Sequence, residues 1–282
     1  MSEKKRGHDM SRNDIAVLVV LYNKEISQSE TLASLANQNI SYYELTLVNN
    51  GPNELSALDD PLLKEIQWKG IKVNYIEFLD NKPLSYIYNL FITENNNCEN
   101  FVILDDDTQL PEDYLAYCDN KYDILLPIIV HDGKVEYPKG ALRQGNKNSL
   151  LSISSGMVLS RRIVDVFLSE FQKTFDERYA LYGIDTVFFA RLQRLVNKGY
   201  NFTVKIGPTI SHSLSKNLTG GKNIFRVTER TYDLALTARF YPEAIHYMPL
   251  IVYLMKVILT GNFTLLRAFF KVLLNGKHPR CL

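Results

Sequence analysis

The run Ile15-Ala-Val-Leu-Val-Val-Leu21 carries no polar residue, and this constrains the fold more than any other stretch. A strand with one face in water alternates apolar and polar residues; a strand without alternation needs cover on both faces, as at the centre of a parallel sheet. Leu45-Thr-Leu-Val48 and the stretches 73–78 and 101–104 read as further strands. Helices are predicted from Ser27 or Ser29 to Gln38, and from Leu84 to about Glu94. Strands and helices alternating at this spacing predict an α/β fold with a mostly parallel central sheet, right-handed crossovers and helices on both faces. In such sheets ligands sit at the carboxyl ends of the strands. Tyr22, Asn49, Asn81 and Asp105 all fall there, the middle two within the turn signals Asn49-Asn50-Gly51-Pro52 and Asp80-Asn81-Lys82-Pro83.

The second half is less regular. Residues 124–130 read as a strand and His131-Asp-Gly133 as its turn. Ser154-Ser155-Gly156 interrupts an apolar stretch, with a glycine that lets backbone approach a ligand. Helical stretches lie within 175–198, with Gly199 as a plausible C-cap. A short strand at 202–206 runs toward Ile210-Ser-His-Ser213. The pattern from residue 223 is helical. Cys98, Cys118 and Cys281 show neither disulfide nor zinc spacing, which fits a reducing cytoplasm. Residues 1–12 are polar and charged, as expected of a disordered lead-in and unlike a secretory signal.

Charge divides the chain. Residues 222–282 hold nine Lys/Arg against three acids, and 1–12 hold four against two, so the overall +1 leaves −7 on the rest. Three parts are therefore expected: a lead-in (1–12), an acidic α/β body (13–221) and a basic helical region (222–282). A basic, apolar tail beside an acidic body points to an anionic surface as partner, membrane or nucleic acid. Neither 247–259 nor 263–274 reaches the ~20 apolar residues needed to span a bilayer. Interfacial amphipathic helices and ordinary core helices both fit.

Chemistry is concentrated in Asp105-Asp106-Asp107, directly after the strand at 101–104. Adjacent carboxylates repel unless a cation joins them, and a hard divalent ion such as Mg²⁺ or Mn²⁺ does so while also holding a phosphate. Positions i and i+2 face the same way, so Asp105 and Asp107 can converge on one ligand. The bland alternative is a solvated acidic loop capping a helix after Pro111.

In order and spacing these features resemble the family 2 glycosyltransferases of the GT-A fold, particularly the rhamnosyltransferase-like enzymes of bacterial O-antigen and capsule assembly, over about residues 14–215. Val20-Leu21-Tyr22-Asn23 resembles the nucleotide-binding start. Asn49 stands where the family usually has a base-contacting Asp, and Pro83 replaces the glycine of an Asn-x-Gly helix start opening at Asn81. Asp105-Asp106-Asp107 matches the D-x-D motif. Ser155-Gly156 resembles the acceptor-side segment, and Tyr182-Gly-Ile-Asp185 the helix start that carries the catalytic base, with Ile184 in place of the usual Glu. His212 resembles the late histidine that reaches metal or diphosphate.

The resemblance implies donor binding by Leu21, Tyr22, Asn23, Asn49, Asn81, Asp105 and Asp106, and acceptor binding by Ser155 and Gly156. It implies a Mg²⁺ or Mn²⁺ site at Asp107 and His212, with Asp185 as general base. The implied reaction is inverting transfer of one sugar from a UDP- or dTDP-linked donor to a saccharide acceptor, expected to be a lipid-linked O-antigen or capsule intermediate. It implies no nucleic-acid partner and a peripheral place on the inner face of the bacterial plasma membrane; a homodimer is also compatible. On residue type alone, Asp185 also suits a helix cap, and His212 a satisfied core histidine. A nucleotidyltransferase would share the sheet and the metal, but usually opens with a Gly-rich basic loop where this chain has Tyr22-Asn-Lys-Glu25. A non-catalytic nucleotide-sugar or membrane-binding protein would have no need of Asp185 and His212.

Overall fold

In the computed structural model, which describes residues 15–118, 121–145, 150–212 and 224–282, the apolar run forms strand β1 (Ile15–Leu21), buried along its whole length. Ala16, Leu18 and Val20 enter one hydrophobic layer, and Ile15, Val17, Val19 and Leu21 the other. This two-sided burial explains why the strand carries no polar residue. Strands β2 (Tyr43–Asn49) and β4 (Asn100–Asp105) flank β1 in parallel, and β3 (Lys72–Glu77) forms a half-exposed edge beyond β2. Between them run α1 (Glu30–Ala36), α2 (Pro61–Trp68) and α3 (Leu84–Glu94). Ser29 caps α1 by accepting the Leu32 N–H, and Asp60 caps α2 with Pro61 at its first position.

Beyond β4 the sheet becomes mixed. β4 pairs antiparallel with β8 (Met157–Ser160), which pairs antiparallel with β6 (Ile124–His131). β6 then runs parallel to β9 (Val204–His212), and β5 (Thr108–Gln109) closes the far edge. β7 (Lys134–Tyr137) forms a hairpin on β6 through the turn at Asp132-Gly133, both with positive φ. No α-helix starts at Pro111; the chain forms β5 and then one 3₁₀ turn, Tyr114–Tyr117. Helices α4 (Arg161–Phe171) and α5 (Ile184–Asn197) cover one face.

Three further helices follow: α6 (Ile224–Phe240), α7 (Tyr247–Leu259) and α8 (Phe263–Asn275). Leu236, Tyr241, Leu250, Phe269 and Val272 share one core with Val187 and Phe188 of α5. A buried polar joint fastens the same contact. The Asp176 carboxylate accepts from Arg178 Nε at 2.8 Å and from Tyr241 Oη at 2.7 Å, and lies 3.0 Å from Arg191 Nη2. Burial would raise its pKa, but the two guanidiniums more than offset this and hold it below the usual carboxylate value. Arg191 is thereby committed to Asp176. The lead-in 1–12 and the expected boundary at 221/222 lie outside the described residues.

Candidate active site

Register aligns the strand ends. Leu21 pairs with Asn49, Asn49 with Glu77, and Val20 with Asp105. The Asp105–Asp107 turn is fastened from two sides. Ser29 Oγ donates to the Asp106 carbonyl at 3.0 Å, and Thr31 Oγ1 accepts the Thr108 N–H at 2.9 Å. From the other side, Ser155 Oγ accepts the Asp105 N–H at 2.9 Å. β5 then pairs with β9 so that Thr108 stands opposite His212, and this delivers an imidazole from far along the chain to the aspartates. His212 Nε2 lies 3.2 Å from Asp105 Oδ2, and Nδ1 3.6 Å from Asp107 Oδ1. One ligand atom from each of Asp105, Asp107 and His212 falls within 4.8 Å of the others. Two carboxylates and an imidazole so placed form a donor set suited to Mn²⁺ or Mg²⁺. Asp106 points elsewhere, to Lys24 Nζ at 2.7 Å.

These groups border a cleft of about 860 Å³, large enough for a nucleotide sugar and part of an acceptor. Asp185 faces it from the first turn of α5. Gly183 occupies the cap position with φ +84, so the helix-cap reading of Asp185 does not hold. The Asp185 pKa is pushed up to about 7, chiefly by withdrawal from water. Hydrogen bonds from Ser154 oppose the shift, the charge of Asp105 adds to it, and His212 lowers it. A carboxylate poised near neutrality inside a cleft suits proton abstraction.

Of the residues singled out from sequence, Tyr22, Asn81, Asp105, Asp106, Asp107, Asp185 and His212 line this cleft. Leu21, Asn23, Asn49, Ser155 and Gly156 do not. Leu21 is wholly buried in the core. Asn23 and Asn49 border a separate pocket of about 90 Å³. The Asn49 amide is spent on its own turn, donating to Asn53 O and Glu77 Oε2 at 2.7 Å each and accepting the Gly51 N–H at 3.0 Å. Ser155 lies beneath the aspartate turn, sharing a 2.6 Å hydrogen bond with Thr108 Oγ1. Gly156, with φ +81, is enclosed so tightly that a Cβ would meet Ile210 and Pro127 at 2.7 Å. Both support the site from below, and Ile153 and Ser154 take the cleft-facing places.

Sequence reading missed several cleft residues: Asn50, Tyr88, and Arg226, Arg230, Asp233 and Arg280 from the C-terminal region. Arg226, Arg230 and Asp233 lie among other polar residues of α6 and Arg280 in the 3₁₀ turn Pro279–Cys281, so nothing local in the sequence sets them apart. Asp233 stands over Gly183, where an added Cβ would lie 2.1 Å from its Oδ1. Burial pushes its carboxyl up to about 6, against a hydrogen bond from Thr237 and the charge of Arg230.

No known family matches the sequence, and no curated protein is similar to it at a significant level. Solved structures do resemble the fold. S. aureus TarS matches with a TM-score of 0.51 at 15% identity, over 80% of this chain and 44% of its own. Its residues 1–349 in complex with UDP match with the same TM-score over 79% of this chain and 63% of that one. GalNAc-T7 with UDP, GalNAc and Mn²⁺ matches with a TM-score of 0.52 at 15% identity, over 83% and 51%. The chain thus spans about half the length of full TarS and of GalNAc-T7. With its aspartate turn at the end of β4 and a cleft along the strand ends, this chain has the GT-A fold in common with these structures.

Proposed function

We propose that the protein is an inverting glycosyltransferase that moves one sugar from a UDP- or dTDP-linked donor to a saccharide acceptor. The observation that carries this reading is the convergence, in one cleft, of the Asp105–Asp107–His212 donor set with a carboxyl group raised to about 7 at Asp185. Asp105, Asp107 and His212 would hold a divalent ion, which supplies positive charge against a departing diphosphate. Asp185 accepts the proton of an acceptor hydroxyl as its oxygen bonds to the anomeric carbon. The anomeric C–O bond to phosphate breaks on the opposite face, its electron pair leaving with the diphosphate. A single in-line displacement inverts the anomeric centre. UDP and Mn²⁺ in GalNAc-T7, and UDP in TarS, support this reading through the shared fold.

The acceptor is proposed to be a lipid-linked saccharide of the O-antigen or capsule type, met at the inner face of the plasma membrane. Among the described residues no helix is long and apolar enough to cross a membrane. However, α7 turns Met248, Ile251, Val252, Met255 and Leu259 outward, and α8 turns out Phe263, Phe270 and Leu274. Exposed Lys256, Arg267, Lys271 and Lys277 accompany them. Phe269, between them on α8, is instead buried against the core.

Donor screening with Mn²⁺ or Mg²⁺ tests the reaction. One nucleotide sugar should be hydrolysed well above the others, and Asp107→Asn should remove most metal-dependent binding of the matching nucleoside diphosphate in calorimetry. Metal-dependent affinity that survives Asp107→Asn refutes the site.

A further inference from the structure

The segment after α8 returns to the cleft, and a buried chain of polar groups aims its one cleft-lining guanidinium. The His278 N–H donates to the Arg178 carbonyl at 2.9 Å, which anchors the segment. The Arg280 N–H donates to His278 Nδ1 at 3.1 Å, so that nitrogen is the acceptor and the ring proton sits on Nε2. His278 Nε2 lies 3.2 Å from Glu229 Oε1, and the other oxygen of Glu229 accepts from Arg280 Nη2 at 2.8 Å. Glu229 and His278 are both buried, at 5% and 3% exposure. With Nη2 held in this way, Nη1 reaches Asn81 Oδ1 at 3.1 Å. Asn50 Nδ2 donates to the same Asn81 oxygen at 3.2 Å and to the Lys82 carbonyl at 3.0 Å. Arg280 Nε is buried without a partner.

A buried ion cluster is a costly way to fill space, because desolvation cancels much of the attraction. What it achieves here is direction. A long, flexible side chain is fixed with one edge on Glu229 and the other on the loop that follows β3. That loop belongs to the donor side, since Asn50, Asn81 and the aspartates line one cleft at the ends of β2, β3 and β4. A guanidinium's natural complement is a phosphate or a carboxylate.

We propose that Arg280, aimed by Glu229 and His278, is a donor-binding residue that takes the nucleoside diphosphate together with Asn81. This rests on the glycosyltransferase reading and extends its donor site to a segment nearly two hundred residues distant in sequence.

Calorimetry with UDP and dTDP plus Mn²⁺, on the full chain, tests it. Arg280→Ala should weaken binding of the preferred nucleotide about tenfold or more. Arg280→Lys should fail to restore it, because one ammonium cannot span both Asn81 and Glu229. Glu229→Gln should fall between, since the fork loses its charged anchor and keeps its reach. Arg267→Ala on the outer face serves as the control. Melting curves close to wild type for Arg280→Lys keep the comparison one of binding. Unchanged nucleotide affinity in Arg280→Ala overturns the inference, as does a defect confined to the acceptor KM. A wild-type protein that binds neither nucleotide with metal refutes the underlying reading instead.

Discussion

Asp185, the proposed base, is a side chain whose ionisation opposes stability. Its acid is weaker in the folded protein than in the unfolded chain, so folding favours the protonated form. The resulting stability is complete below the ordinary Asp value and is lost as pH rises through about 7. Asp185→Asn, neutral at every pH, should therefore melt higher than wild type at pH 8 and about the same at pH 4. The gain should be about 1–3 kcal/mol, below the full conversion of the shift because the group faces an open cleft. The same variant should lose about two orders of magnitude or more in turnover, the scale of removing a general base. In wild type, kcat/KM should fall with acid along a limb at or somewhat below pH 7, since a cation on Asp105 and Asp107 relieves the repulsion felt by Asp185. A variant both less stable at pH 8 and near-normal in turnover would make Asp185 a structural residue.

At the scale of elements, the entry to α5 holds the proposed base, Asp185, in place. Gly183 has φ +84 and carries the Asp233 carboxylate against its α-carbon. Gly183→Ala combines backbone strain of about 1 kcal/mol or more with a clash that displaces either Asp233 or the helix start. It should lower both the melting temperature and kcat, with nucleotide affinity kept; unimpaired turnover would show that the base tolerates movement of its helix. The parallel half of the sheet was legible in sequence because full burial leaves a strong mark, and β1 and α3 lie where the pattern puts them. The eight-residue α2 was not, since it buries only Leu63 and Ile66. The same limit applies to the site. The aspartate cluster is local in sequence and was visible, whereas the pairing of Thr108 with His212 and the reach of Arg280 to Asn81 depend on long-range packing. Ser155 and Gly156 were read as acceptor contacts, but whether a serine faces a cleft or the floor beneath it is set by the partner strand.

At the scale of the whole molecule, the basic C-terminal region does two things at once. Its inner side shares the hydrophobic core of α5 and lends Arg230, Asp233 and Arg280 to the cleft. Its outer side is apolar where a helix facing water should be polar: on α7 the exposed Met248, Ile251, Val252, Met255 and Leu259 recur at helical spacing. Contiguous exposed apolar surface of this kind marks an interaction site. The flanking lysines and arginines favour an anionic lipid surface, each worth about 1 kcal/mol at most, so several together with inserted Met, Ile and Phe side chains give reversible attachment. The full-length protein should sediment with vesicles containing anionic lipid and far less with neutral ones, and salt should weaken binding. Arg267→Glu with Lys271→Glu should reduce it severalfold. Met255→Glu with Phe263→Glu should abolish it while leaving nucleotide binding intact, because neither residue touches the cleft. A protein that ignores anionic vesicles at low salt, and instead doubles its mass with concentration unless Met255 and Phe263 are replaced, has this face as a dimer interface.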